Sequence, residues 1–362
     1  MDAKVSPSRG LRVGLAGAGG IAPEHFDALA LVSNVEVVAV CDLFESRAQS
    51  FASLYRIPRA YSSLTKMLNE EKLDVVHVLT QPQNHFAAAM TCLEAGAGVY
   101  IEKPMCTSTA DCQTIADEAA KRGLPVGVNH NTSFAAAIDE VVEAVKERRF
   151  GRINHVAVTF SMPAHKMPDR KSNHFMFSSQ LSLIEEFCPH PFSVIRLLLG
   201  KPIEVRALFS DPFQQLSGNR CYATGQVAAV AERGSAQLYF SAGRGNQEFG
   251  VWVYGQDGSA TIDLIRGTST ILENCPDPIM ADLRGGLRNA GRIFRQSVGK
   301  IAADRLVKLK LKPAKETNGF YPAFENFYSA VREGRPNREN AMAGRDVLAY
   351  CEMAIANASY VD

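Results

Sequence analysis

Excess charge is missing from this chain of 362 residues: 39 lysines and arginines face 38 acids, a formal net charge of +1. A protein that binds nucleic acid with its whole surface needs a large positive excess, so no nucleic-acid partner is expected. Long apolar runs are missing too. No stretch reaches the roughly 18 uncharged residues that a spanning helix needs, so no membrane span is expected. Residues 1–10 are polar, and the first apolar run, Leu11 to Ala16, is short and flows into glycines, so no secretory signal is read. The eight cysteines (Cys41, Cys92, Cys106, Cys112, Cys188, Cys221, Cys275, Cys351) are scattered without a C-x-x-C pair. That fits reduced, buried thiols in the cytoplasm better than disulfides or zinc. No His, Cys and carboxylate cluster has ligand spacing, so no metal is expected. Repeats and low-complexity segments are also absent. What is present, 46% apolar and 21% charged residues, is ordinary for a globular protein. The length exceeds one typical core, so two domains are expected.

The chain is organised around Val99-Tyr100-Ile101-Glu102-Lys103-Pro104. An apolar strand runs into an acid, a lysine and a proline. A strand end fixes the lysine in space, and proline stops the strand because it has no N–H for the ladder. Upstream, Leu11–Ala16 reads as a buried strand followed by Gly17-Ala18-Gly19-Gly20-Ile21-Ala22, a G-x-G-x-x-A turn opening a helix to about Val32. Gly17 allows the tight turn, Gly19 the approach of a pyrophosphate, and Ala22 a close helix–strand contact. The pyrophosphate belongs on the helix N-terminus, where free N–H groups favour anions. A second strand, Val35 to Cys41, ends in Asp42, 25 residues after Gly17. A carboxylate there accepts from ribose hydroxyls and repels a 2′-phosphate. No arginine follows until Arg47, so NAD is favoured over NADP.

Helices and strands then alternate: helix Glu45–Tyr55, helix Ser63–Asn69, strand Asp74–Leu79, helix Phe86–Ala95, the Glu-Lys-Pro strand, helix Ser108–Arg122 and strand Pro125–Asn129. Strands alternating with helices in this way predict a parallel, doubly wound sheet over residues 1–130. Gly17, Asp42, Thr80, Lys103 and Asn129 lie at the carboxyl ends of strands, where such sheets bind ligands. Beyond residue 130 the texture changes. A helix Ala135–Arg149 and a strand Ile153–Ser161 precede a polar loop with His165, Lys166, Asp169, Arg170, Lys171 and His174, then a helix Leu181–Leu199 ending at Gly200. Strands follow without helices between them, from Ile203 to Glu273, which predicts an antiparallel sheet in an α+β domain, 131–362. Two helices close the chain, Pro322–Glu333 and about Asn340–Ala358, and these are expected to be able to pack back on the first domain.

With these residues in place the chain resembles the glucose–fructose oxidoreductase / inositol dehydrogenase (Gfo/Idh/MocA) family. The matching residues are the Gly17–Ala22 turn with His25, the Thr80, Pro82 and His85 turn, Ala95-Gly96 leading into Glu102-Lys103-Pro104, and Glu186-Phe187-Cys188-Pro189-His190 with Gly200 ten residues on. The resemblance implies a Rossmann domain, a second domain with a large open sheet, and an NAD(P)-dependent oxidoreductase of sugars or polyols. It also implies a homo-oligomer, dimer or tetramer, built through that sheet. Glu186 stands where the family has aspartate, Cys188 where it has glycine, Ser193 at a second aspartate, and Gln81 at a proline. Asn129-His130-Asn131 replaces a common arginine or tyrosine, and with the Glu-x-x-Pro-His variant it looks like a branch of glycan and nucleotide-sugar metabolism.

The expected chemistry is hydride transfer between a secondary alcohol of a sugar, polyol or nucleotide sugar and the nicotinamide, with the protein moving the proton. His190 is the natural base, since its ordinary pKa lies near working pH. Lys103 donates to the developing alkoxide or itself shuttles the proton. Glu186, one turn before His190 on one helix, either orients the imidazole or binds a sugar hydroxyl. Expected cofactor residues are Gly17, Gly19, Gly20, Ile21, Asp42, Thr80, His85, Glu102 and Lys103; expected substrate residues are Asn129, His130 and Asn131. A non-catalytic dinucleotide sensor is the rival class, and retention of both Lys103 and His190 favours the enzyme. Finally, residues 281–312 hold nine basic residues against two acidic ones, a net of +7. Arginines and apolar residues fall there in adjacent helical stripes, the pattern of an amphipathic helix suited to packing on its own domain, to a membrane surface or to an acidic partner.

Overall fold

The computed structural model describes residues 10–163, 165, 181–214, 218, 220–243, 245–273, 278–308 and 319–361. In chain order the elements are β1 Leu11–Ala16, α1 Ala22–Leu29, β2 Val35–Cys41, α2 Glu45–Tyr55, β3 Arg59–Tyr61, α3 Leu64–Glu70, β4 Val75–Val78, α4 His85–Glu94, β5 Gly98–Ile101, α5 Thr109–Arg122 and β6 Val126–Val128. Then come α6 Ala136–Lys146, β7 Ile153–Met162, α7 Ser182–Phe187, α8 Pro189–Leu199, β8 Pro202–Gln214, β9 Arg220–Ala231, β10 Gly234–Ala242, β11 Glu248–Gly255, β12 Gly258–Asp263 and β13 Thr268–Glu273. The chain closes with α9 Pro278–Lys308, α10 Phe320–Glu333, α11 Ala341–Ala356 and β14 Ala358–Tyr360.

Strands β1 to β6 form one sheet, ordered β3-β2-β1-β4-β5-β6 and parallel throughout. Every residue of β4, β5 and β6 is buried, as a parallel sheet covered on both faces requires. The order reverses between β1 and β4, and the glycine turn follows β1 at that switch point. The sixth strand is the three-residue β3, too short to announce itself in the sequence. Helix α5 shows why its boundaries were readable. Ser108 Oγ accepts the Asp111 N–H at 3.1 Å, and Gly123 ends the helix at φ +66°.

The chain divides into two compact units: residues to Asn131 with Pro313–Leu348, and Thr132–Lys312 with Ala349–Asp362. Of the expected stretch 131–362, residues Pro313–Leu348 thus cluster with the first unit. Helix α10 belongs to the first unit because its apolar face completes that unit's core: the Phe324 ring lies 5.0 Å from each of His25, His77 and Tyr100.

The second unit holds an eight-stranded sheet, ordered β13-β12-β11-β7-β10-β9-β8-β14. β7 and β10 pair in parallel, as do β8 and β14, and the other neighbours are antiparallel. One face is buried, where Phe187 of α7 packs on Phe160 and Phe240. The other face exposes Leu208, Val230, Tyr239 and Tyr254. The single helix expected over Leu181–Leu199 is two, α7 and α8, divided at Cys188. Pro189 and Pro191 have no N–H to give, so the helical ladder is interrupted there. Of the polar loop that precedes it, His165 is exposed; Lys166, Asp169, Arg170, Lys171 and His174 lie outside the described residues, as does Cys275. Among the described residues no helix is long and apolar enough to cross a membrane.

Candidate active site

The glycine turn is shaped as a cradle. Gly17 adopts φ +113°, and a Cβ there would stand 2.8 Å from the Leu79 carbonyl oxygen, so only glycine lets the ends of β1 and β4 pass this closely. A Cβ on Gly19 or Gly20 would meet nothing within 4 Å, which leaves the space above the turn open. Ile21 caps α1, and Ala22 is fully buried behind it. Beside the turn, Thr80 Oγ1 is buried and has no hydrogen-bond partner. Asp42 Oδ2 accepts the Ala18 N–H and Oδ1 the Phe44 N–H, each at 3.0 Å. An open backbone cradle, an unused hydroxyl and a carboxylate at the second strand end fit a dinucleotide's pyrophosphate and ribose. One correction belongs here: Arg47 is not remote from Asp42. Helix α2 returns its guanidinium to 3.4 Å from the Asp42 carboxylate, stacked 4.7 Å from the Phe44 ring centroid.

Glu102 and Lys103 follow β5 directly. Glu102 Oε1 accepts from His25 Nε2 at 2.6 Å and from Asn129 Nδ2 at 2.5 Å, while Oε2 faces the Lys103 N–H at 3.2 Å. Burial alone pushes this carboxyl up, but the His25 and Asn129 hydrogen bonds and the Lys103 charge overcome it and hold it at about 2. Behind His25 the chain of bonds continues. His25 Nδ1 lies 2.8 Å from His77 Nδ1, and His77 Nε2 lies 2.7 Å from Tyr328 Oη. His25, His77 and Tyr328 are all completely buried, and burial drives the His77 pKa well below its usual value. Sequence reasoning did not find His77 or Tyr328. A histidine inside Val-Val-His-Val looks like an interruption of a strand, and its partner is 251 residues away.

Three expected ligand residues are spent on the protein itself. His85 is buried, with Nδ1 2.8 Å from the Pro104 carbonyl and Nε2 2.9 Å from the Thr80 carbonyl, so it ties two strand-end loops together and does not offer its ring to a cofactor. The Lys103-Pro104 peptide that it helps hold is cis. Asn129 is buried between Glu102 and the Tyr100 hydroxyl, and His130 is buried against Glu339 at 2.8 Å. Asn129 and His130, expected at the substrate, are thus engaged with the protein's own groups at the strand end, and Asn131 is half-buried.

In the second unit, His190 stands in the first turn of α8 and Glu186 near the end of α7, so the two do not share one helix as expected. The partner that fixes the imidazole is Thr132, whose Oγ1 is 3.0 Å from His190 Nδ1. With Nδ1 committed to a hydroxyl that can either donate or accept, the ring plane is held. Thr132 carried no signal in the sequence, since a threonine 58 residues away has no spacing to betray it. Among the described residues no three His, Cys, Asp or Glu side chains gather as metal ligands would.

Residues 11–130 match the family model described as an oxidoreductase family with an NAD-binding Rossmann fold, Gfo/Idh/MocA. The match takes in every strand of the first sheet. Among the chain's relatives, trans-1,2-dihydrobenzene-1,2-diol dehydrogenase of Sus scrofa is 31% identical over 160 residues, 44% of this chain and 48% of that enzyme. Inositol 2-dehydrogenase of Salmonella paratyphi B is 36% identical over 115 residues, 31% of this chain and 34% of that one. The chain thus spans about half or less of these curated relatives. The likeness in fold reaches further. The WlbA dehydrogenase of Bordetella pertussis, crystallised with NADH and UDP-GlcNAcA, superposes with a TM-score of 0.77 over 97% of this chain and 96% of that one, at 19% identity.

Proposed function

We propose that this protein is an NAD-dependent dehydrogenase or reductase acting on a secondary alcohol of a sugar, polyol or nucleotide sugar. The observation that carries the proposal is the pairing of an open glycine cradle with a lysine placed immediately after a buried, ionised carboxylate at a strand end. NAD, when bound, supplies the hydride acceptor or donor. His190, its Nδ1 engaged by Thr132, takes or returns the alcohol proton, a role worth roughly 10²–10⁴ in rate. Lys103 donates a hydrogen bond to the developing alkoxide. Glu102 holds the backbone N–H of Lys103 and so positions the lysine from behind. The B. pertussis neighbour's UDP-GlcNAcA supports nucleotide sugars as the first class to try. A second copy on the open sheet face, through Leu208, Val230, Tyr239 and Tyr254, would make the working molecule a homo-oligomer. A cytoplasmic setting suits the seven described cysteines, all buried and none in a disulfide.

Small molecules co-purifying with the protein should be identified by mass spectrometry, and sugars, polyols and nucleotide sugars screened by NADH absorbance. Lys103→Ala and His190→Ala are each expected to remove most turnover while NAD affinity stays within several-fold. Near-native turnover in either variant on the true substrate would refute the assigned roles. NAD should bind more tightly than NADP, and Asp42→Ala should narrow the gap chiefly by weakening NAD.

A further inference from the structure

Helix α9 is amphipathic with its polar side inward. Strand β13 is the last strand of its sheet, so its outer edge presents backbone groups with no neighbouring strand. Side chains of α9 take them up. Asn289 accepts the Ile271 N–H and donates to the Ile271 carbonyl, both at 3.1 Å, and Gln296 accepts the Ser269 N–H at 3.0 Å. One turn on, Lys300 Nζ donates to the Ile265 carbonyl. These residues recur at helical spacing and define the inward face.

The outward face is apolar. Leu283, Leu287, Phe294, Val298 and Ile301 are 57%, 68%, 72%, 49% and 57% exposed, on one stripe that extends about 27 Å at 1.5 Å per residue. Arg284, Arg288 and Arg295 run along one side of it, all exposed. Arg288 reaches Glu273 at 3.9 Å and Arg295 reaches Glu140 at 4.0 Å, but at 67% and 78% side-chain exposure these pairs bind weakly. A folded protein does not ordinarily leave five large apolar side chains in a row in water.

We propose that α9 is a peripheral membrane anchor: its stripe lies in the acyl boundary of an anionic bilayer and its arginines meet the lipid phosphates. Charge decides the occupant. Pairing the stripe with the same stripe of a second copy would set one row of arginines near another, and the whole segment 281–312 carries +7. Basic side chains flanking an apolar stripe with no polar break in it match a planar surface of headgroups over acyl chains.

The test is flotation of the full chain with phosphatidylcholine vesicles, with and without phosphatidylserine, at low and high salt. Binding to the serine-containing vesicles should exceed binding to the neutral ones by at least about tenfold at low salt, and the preference should shrink in high salt. Leu287→Glu with Phe294→Glu should abolish binding, and Arg284→Glu with Arg295→Glu should abolish the preference. Both pairs sit at exposed positions, so thermal melts and NADH-linked turnover should match the parent protein. Equal binding to the two vesicle types, or none, would overturn the proposal. So would a self-association, seen by sedimentation, that Leu287→Glu with Phe294→Glu breaks while vesicles are ignored, because the stripe would then be an interface between copies.

Discussion

The carboxylate of Glu102 sits at one end of a four-group chain: Tyr328 Oη lies 2.7 Å from His77 Nε2, His77 Nδ1 2.8 Å from His25 Nδ1, and His25 Nε2 2.6 Å from Glu102 Oε1. Tyr328→Phe should leave a buried imidazole nitrogen without its partner and destabilise the protein by about 1–3 kcal/mol, measured by urea unfolding. A variant as stable as the parent would remove Tyr328 from the chain. The same burial predicts a pH dependence. His77 and His85 both have lowered pKa values, chiefly from burial, so the unfolded chain takes up protons below about 6.5 that the folded one refuses. Stability should fall as pH drops below that value, at up to about 1.4 kcal/mol per pH unit for each histidine. Glu102 acts in the same direction but later, between about 4.5 and 2, as its carboxylate is protonated. Melting temperatures that stay level between pH 7 and 5 would show that the two histidines charge in place. At this scale the sequence revealed the residues that border strand ends, Gly17, Asp42, Glu102 and Lys103. It hid those whose role depends on a partner far along the chain: His77, Tyr328 and Thr132.

Elements with strong local signals were legible, and those decided by tertiary contacts were not. The parallel strands read as continuous apolar runs, and α5 was bracketed by Ser108 and Gly123. Strands β3 and β14 are three residues each and exist through pairing with β2 and β8, which no local pattern encodes. Periodicity joined α7 to α8 because Leu181 to Leu199 is apolar on one side throughout; the prolines at 189 and 191 were the overlooked break. That division gives the imidazole a support outside its own helix. Thr132→Val keeps the shape but removes the hydroxyl from His190 Nδ1. Turnover should fall about tenfold or more with KM changed little, and the pH–rate profile should move, because a positioning residue acts through the base it orients. Thr132→Ser should restore most of the loss. A fall in thermal stability with an unmoved profile would reduce Thr132 to a packing role.

The first unit is discontinuous in the chain, and this shapes the whole molecule. Its sheet ends at β6, yet Phe324, Phe327 and Tyr328 of α10 are among its most buried side chains, and Glu339 is the partner of His130. A fragment of residues 1–131 should therefore fail to melt cooperatively and should bind a hydrophobic dye, even though it carries all of the cofactor-binding turn. A sharp, two-state melt of that fragment would show that α10 is dispensable to the core. The discontinuity also reaches back to synthesis. A ribosome making residues at about 5–20 per second releases the nucleotide-binding strands first and the helix that seals them almost last. Between those moments His25, His77 and Tyr100 lack the cover of Phe324, so the nascent chain carries an unfinished core for roughly ten to forty seconds. Any factor that shields apolar surface on the translating ribosome would have its longest window of action on the first half of this protein.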